Sequence, residues 1–157
     1  MLEIIPTIYL QILLASVLGL ILGLQREYSE KPAGLRTYSL VATGAALFTI
    51  ISINGFNQFL VDASRYDPSR IASNIVTGIG FLGAGVIIFR DKRVEGLTTA
   101  AGLWVAAGLG MAVGAQMYGL AIFTTVVSYT ILDIMGRPQV EEWLRIRRTK
   151  ERNKNKI

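Results

Sequence analysis

Residues 67–114, DPSRIASNIVTGIGFLGAGVIIFRDKRVEGLTTAAGLWVAAGLGMAVG, decide how this chain folds. Two apolar runs crowded with small residues flank a short charged hinge. The first run, 71–89, carries Gly78, Gly80, Gly83 and Gly85. In water each mid-helix Gly costs about 1 kcal/mol relative to Ala. In lipid the balance differs, because small residues let helix backbones approach closely. In the second run Thr98, Gly102, Ala106, Gly110 and Gly114 recur every four residues, a small-residue strip down one helical face. Gly102 and Gly110, with the four glycines of the first run, are the expected helix-packing positions.

The surrounding sequence extends that solvent assignment to the whole chain. Apolar residues make up 52% of the 157, above the roughly 45–50% of soluble domains, and they lie in runs. A spanning helix needs about 20 apolar residues. Five segments meet or approach that length: 5–24, 38–56, 71–89, 98–114 and 118–135. The expected fold is all-α, a polytopic membrane protein with five transmembrane helices. Residues 1–137 form the transmembrane domain and 138–157 a basic juxtamembrane tail. The first run lacks the basic start of a signal peptide and is read as a retained helix. With the N-terminus outside, fourteen of the sixteen Lys and Arg residues fall on the inner side. The positive-inside rule then places the C-terminus in the cytoplasm. The basic excess borders apolar spans, so the lipid bilayer is the expected partner and nucleic acid is not.

Chemistry is scarce. The chain has neither Cys nor His, which removes thiolates, disulfides and imidazole shuttles. No two carboxylates pair at mid-membrane, so no enzyme and no cofactor are expected. Gly78 to Gly83 match the dinucleotide pattern G-x-G-x-x-G, but inside a hydrophobic helix and without a preceding strand the match carries no meaning. Mg²⁺, a hard ion that prefers oxygen ligands, remains as a ligand or substrate. The candidate metal residues are Glu27, Asp67, Asn74 and Glu95. Arg26, Arg36, Arg70 and Thr77 complete a polar framework, with Arg26 or Arg36 expected to pair with Glu95 or Asp91. Gln25, Arg26 and Glu27 read either as snorkelling end-caps or as part of that framework. Asp67-Pro68 is a helix start, and Thr98 or Thr99 is the expected cap of the fourth helix.

Two further patterns bear on organisation. Gly34-Leu35-Arg36-Thr37 and Gly96-Leu97-Thr98-Thr99 lie 62 residues apart, and the same offset relates Gly23 to Gly85. Helices one–two and three–four are therefore read as a parallel two-helix internal repeat, an arrangement known in transporters. Ala15, Gly19 and Gly23 form a second small strip. The strips on helices one and four either pack internally or bind a partner, which would be a second copy (a homo-oligomer) or another membrane protein.

GLQREYSEKPAGLRTYSLVATGAALF (23–48) followed by residues 67–110 resembles the MgtC/SapB family of bacterial membrane proteins, and the likeness runs from Gly19 to Gly114. AGLRT, DPSRIA, GIGFLGAG and GLTTAA carry it. The resemblance implies a bacterial inner (plasma) membrane location and a part in magnesium homeostasis, by Mg²⁺ transport or sensing. The alternative it implies is a non-transporting regulator that binds another membrane complex, such as the F-type ATP synthase. Family members often show Glu at the place of Gln25 and Gln at that of Asn74. Many continue into a soluble C-terminal domain, where here a basic tail follows Arg137.

Overall fold

The computed structural model describes residues 4–55, 67, 69–90 and 93–136. Five α-helices cover most of them: α1 (Ile4–Tyr28), α2 (Leu35–Ile50), α3 (Ser69–Gly85), α4 (Leu97–Gly114) and α5 (Tyr118–Met135). A π-helical turn, Ile51–Gly55, prolongs α2. The chain is an all-α polytopic membrane protein. Pro6–Tyr28, Leu35–Gly55, Leu97–Gly114 and Tyr118–Met135 are each long and apolar enough to cross a bilayer. The fifth expected span is different. With 17 residues α3 is about 25 Å long, short of the roughly 30 Å hydrocarbon core, and its first half is polar.

Glycine sets the packing of the centre. α2 lies between α1 and α4 and touches both along its length. A Cβ at Gly19 would lie 2.6 Å from the Tyr38 carbonyl oxygen, and one at Gly23 would lie 2.7 Å from Leu35 Cα. From the other side, a Cβ at Gly110 would collide with the Ala42 carbonyl, and one at Gly114 would lie 2.8 Å from the Ala46 oxygen. The facing strip of α2 is Tyr38, Ala42, Ala45, Ala46 and Thr49, all buried. Tyr38 meets Gly102 and Ala46 meets Gly114, so α2 and α4 run parallel, as the repeat requires. The small strips on α1 and α4 are thus used inside the chain. Of the other packing candidates, a Cβ at Gly83 would lie 3.6 Å from Ala100 Cβ, whereas one at Gly78, Gly80 or Gly85 would meet nothing within 4 Å among the described residues.

Three local expectations need correction. The first helix does not end near Leu24 but continues to Tyr28, which carries Gln25 and Arg26 into the protein. The run 71–89 is not one helix. It breaks at Gly85, and Ile88–Arg90 (β1) pairs antiparallel with Arg93–Glu95 (β2), Phe89 opposite Val94. Gly83 and Gly85 weaken the helix end, and the β-branched and aromatic residues that follow favour a strand. Finally, no threonine caps α4. Gly96 is the N-cap, without a side-chain bond, and its φ of +86° suits only glycine where a Cβ would strike the Val86 carbonyl. The segment matching it in the proposed repeat differs, since Gly34 has φ −122° and follows a turn rather than a hairpin. Residues 137–157, including the tail and the domain boundary at 137, lie outside the described residues.

Asp67 does start α3. Its Oδ1 accepts from Ser69 N at 2.9 Å and Ser69 Oγ at 2.6 Å. These bonds, with a smaller effect of Arg70, hold the exposed carboxyl below its ordinary pKa.

Two outcomes follow from this geometry. Gly110→Ala should lower stability by roughly 1–3 kcal/mol through overpacking against α2, whereas Gly108→Ala, which faces open space, should not; thermal unfolding in detergent measures both. Because the folded Asp67 carboxyl titrates lower than the unfolded one, its cap is complete above the unfolded pKa and lost as pH falls through the folded value. The protection of the amides of residues 69–73, measured against their intrinsic exchange rates, should therefore fall on acidification, and fall at neutral pH in Asp67→Ala.

Candidate functional site: a buried arginine where three helices meet

On α1 the residues Ala15, Leu18, Leu22, Gln25 and Arg26 share the buried face. The periodicity that packs the small strip therefore also turns a cation inward. Arg26 is only 4% exposed, so it is no snorkelling end-cap. Its Nη2 donates to Thr99 Oγ1 of α4 at 2.8 Å, and its guanidinium lies against the Tyr38 hydroxyl of α2. The Tyr38 hydroxyl donates in turn to the Thr99 carbonyl at 3.3 Å. Gly102 makes this possible, because a Cβ there would collide with the phenol oxygen. Arg26 Nε has no hydrogen-bond partner among the described residues. A buried cation is normally balanced by an anion. Here its neighbours among the described residues are neutral hydroxyls and a carbonyl, beside the positive end of the α4 dipole.

Next to it, Gln25 is buried at the α1–α5 contact. Its Nε2 donates to Leu132 O at 3.0 Å and to Ser29 Oγ at 3.2 Å, while its Oε1 is unpartnered among the described residues. Glu27 points the other way. Its Oε2 accepts from Leu35 N at 3.1 Å, closing the N-terminus of α2.

The four metal candidates are not brought together. Glu27 caps α2 and the exposed Glu95 ends β2, near the Arg26 end of the bundle. Asp67 starts α3 at the opposite end, about 25 Å away by helix length. Among the described residues no group of three acidic side chains could hold a metal ion. The expected ion pairs with Glu95 are also absent among the described residues: Arg26 bonds Thr99 instead, and Arg36 is exposed. Asp91 lies outside them.

Asn74 borders an apolar cleft of about 610 Å³ between α2, α3 and α4, lined by Val41, Gly44, Phe48, Gly78 and Leu82 among others. Arg70 and Thr77 are exposed on α3 beside it, Thr77 Oγ1 bonding back to the Ser73 carbonyl at 3.0 Å.

Sequence reasoning read Thr99 only as a cap of α4 and passed over Tyr38 and Gln11. The last is buried on α1 and donates to Val113 O at 3.1 Å. A signal for Tyr38 was present: Tyr38, Ala42 and Ala46 recur every four residues as the α4 strip does, and Gly102 opposite implies a large neighbour.

Similarity to known proteins agrees with the architecture. Residues 12–141 match the family model described as MgtC family. Over 126 residues the chain is 44% identical to the Escherichia coli (strain K12) protein named "Putative magnesium transporter YhiD", covering 80% of this chain and 59% of that protein. "Protein MgtC" of Salmonella typhimurium (strain LT2) is 44% identical over 118 residues, 75% of this chain and 48% of its own length. A Haemophilus influenzae protein is 38% identical over 153 residues, 96% of this chain and 63% of its length. The chain thus spans about half to three-fifths of these curated relatives. No solved structure matches it. The chain belongs to the MgtC family.

Proposed function

We propose that this chain is a magnesium-linked regulator of the bacterial inner membrane, acting through another membrane protein and not conducting the ion. Its N-terminus lies outside and its C-terminus in the cytoplasm, as the distribution of basic residues implies. The observation that carries this reading is Arg26. Among the described residues, a cation without a carboxylate neighbour closes the end of the bundle where α1, α2 and α4 meet, which an ion path between these helices would have to cross. It raises the barrier to a divalent cation there, because Coulomb repulsion grows as the dielectric falls. Glu27 and Asp67, which a Mg²⁺ path would want as ligands, instead accept backbone N–H groups at helix starts. The link to magnesium rests on the family and on the relative named as a magnesium transporter.

That relative's name also supports a second reading, transport. The feature that favours it is the polar side of α3, where Asn74 and Thr77 would line a hydrated path if a second wall closed over them.

In liposomes holding a magnesium indicator, the purified chain should pass no Mg²⁺ above protein-free vesicles. Mg²⁺ entry that Asn74→Ala abolishes would establish transport instead. Arg26→Met removes the charge but keeps an unbranched apolar stem, and replacing a buried cation that has no carboxylate neighbour among the described residues should change stability by under about 2 kcal/mol. The variant should nevertheless fail to support growth of a relative-deficient strain in low magnesium. Melting and growth falling together would reduce Arg26 to a structural residue.

A further inference from the structure

We propose that the bare side of α3 is where a second copy of this chain docks, Phe81 of each copy entering the cleft between α2 and α3 of the other. The inference holds whether the protein regulates or transports.

α3 meets the rest of the chain mainly at Ile79 and Gly83, its only buried residues. The opposite side carries Ser69, Arg70, Ser73, Asn74 and Thr77, spaced three or four apart and exposed. In water such a side would need no partner. In hydrocarbon, polar groups must face protein or a water-filled cavity. Ser73 and Thr77 satisfy their hydroxyls on backbone carbonyls, at 2.9 and 3.0 Å. The Asn74 amide and the Arg70 guanidinium find no hydrogen-bond partner among the described residues. Lipid tails offer them none.

The chemistry of the patch points to a copy of itself. Two chains inserted the same way run parallel, so residues of equal number share a depth, and a two-fold axis along the membrane normal makes the interface isologous. Asp67 and Arg70 lie one turn apart at the same end of α3, so each copy offers a carboxylate to the Arg70 of the other. Asn74 carries donors and an acceptor on one amide and can pair with its own copy. The shapes match too. Phe81 is the large residue on an otherwise small and polar arc, and it is 81% exposed. The cleft beside it is apolar and floored by Gly44 and Gly78, where added side chains would meet open space. An acyl chain would fill the cleft yet leave Asn74 and Arg70 unpaired.

The test uses the absence of native cysteine. Ser73→Cys and Thr77→Cys, each alone in the full chain, sit on the proposed interface; Val126→Cys sits on the outward side of α5. Mild oxidation of native membranes should convert the first two, and not the third, into a species of twice the chain mass. Phe81→Ala in the Thr77→Cys background should weaken the dimer about tenfold, read as loss of cross-linking on dilution into lipid. Equal cross-linking at all three positions, none at Ser73 and Thr77, or cross-linking to a protein of different mass would each overturn the proposal.

Discussion

The structure depends on how closely α2 can lie between its two neighbours. Lipid tails are as apolar as leucine, so burying apolar surface between helices gains little in a bilayer. Dispersion is left to hold them, and each atom pair contributes only about 0.1–0.2 kcal/mol. The sum becomes useful when backbones touch over several turns. Gly19 and Gly23 allow that on one side of α2, and Gly102, Gly110 and Gly114 on the other. Alanines of α2 fill the remaining space without thickening the contact. The glycines that would weaken a soluble helix are here its contact surface.

That tight centre explains why Arg26 can stay where it is. The guanidinium is flat and well supplied with donors, so hydroxyls and carbonyls can hold it where an ammonium would be less well served. Tyr38 and Thr99 supply them, and Gly102 clears the volume. The three helices are therefore joined both by shape and by one polar cluster. Any shift of α4 relative to α1 would have to break the Arg26–Thr99 bond.

Much of the fold was legible because hydrocarbon imposes a simple grammar. Length and apolarity gave the helices, and the four-residue spacing of Gly102, Ala106, Gly110 and Gly114 gave a packing face. Where residues 71–89 were read as one span, apolarity could not separate a helix from the strand that begins at Ile88, since both are written in the same residues. The inward turn of Arg26 was left open against a snorkelling end-cap for a related reason. A charged triplet at the end of an apolar run looks like an interface, and only the continuation of α1 to Tyr28 shows otherwise. The polar framework could be named residue by residue, but its grouping could not. The Asp67 cap was legible in Asp67-Pro68, but the Glu27 cap depends on the turn that brings Leu35 N back to α1, which the composition of the chain does not encode.

The small hairpin of β1 and β2 has a consequence for how the molecule floats. Two strands leave outward-facing N–H and C=O groups along both edges, and hydrocarbon cannot satisfy them. The hairpin must ride at the level of the lipid headgroups, where water reaches it. Because α3 enters it and α4 leaves it directly through Gly96, that waterline sets the draught of the molecule: how deep each turn of both helices hangs below the surface.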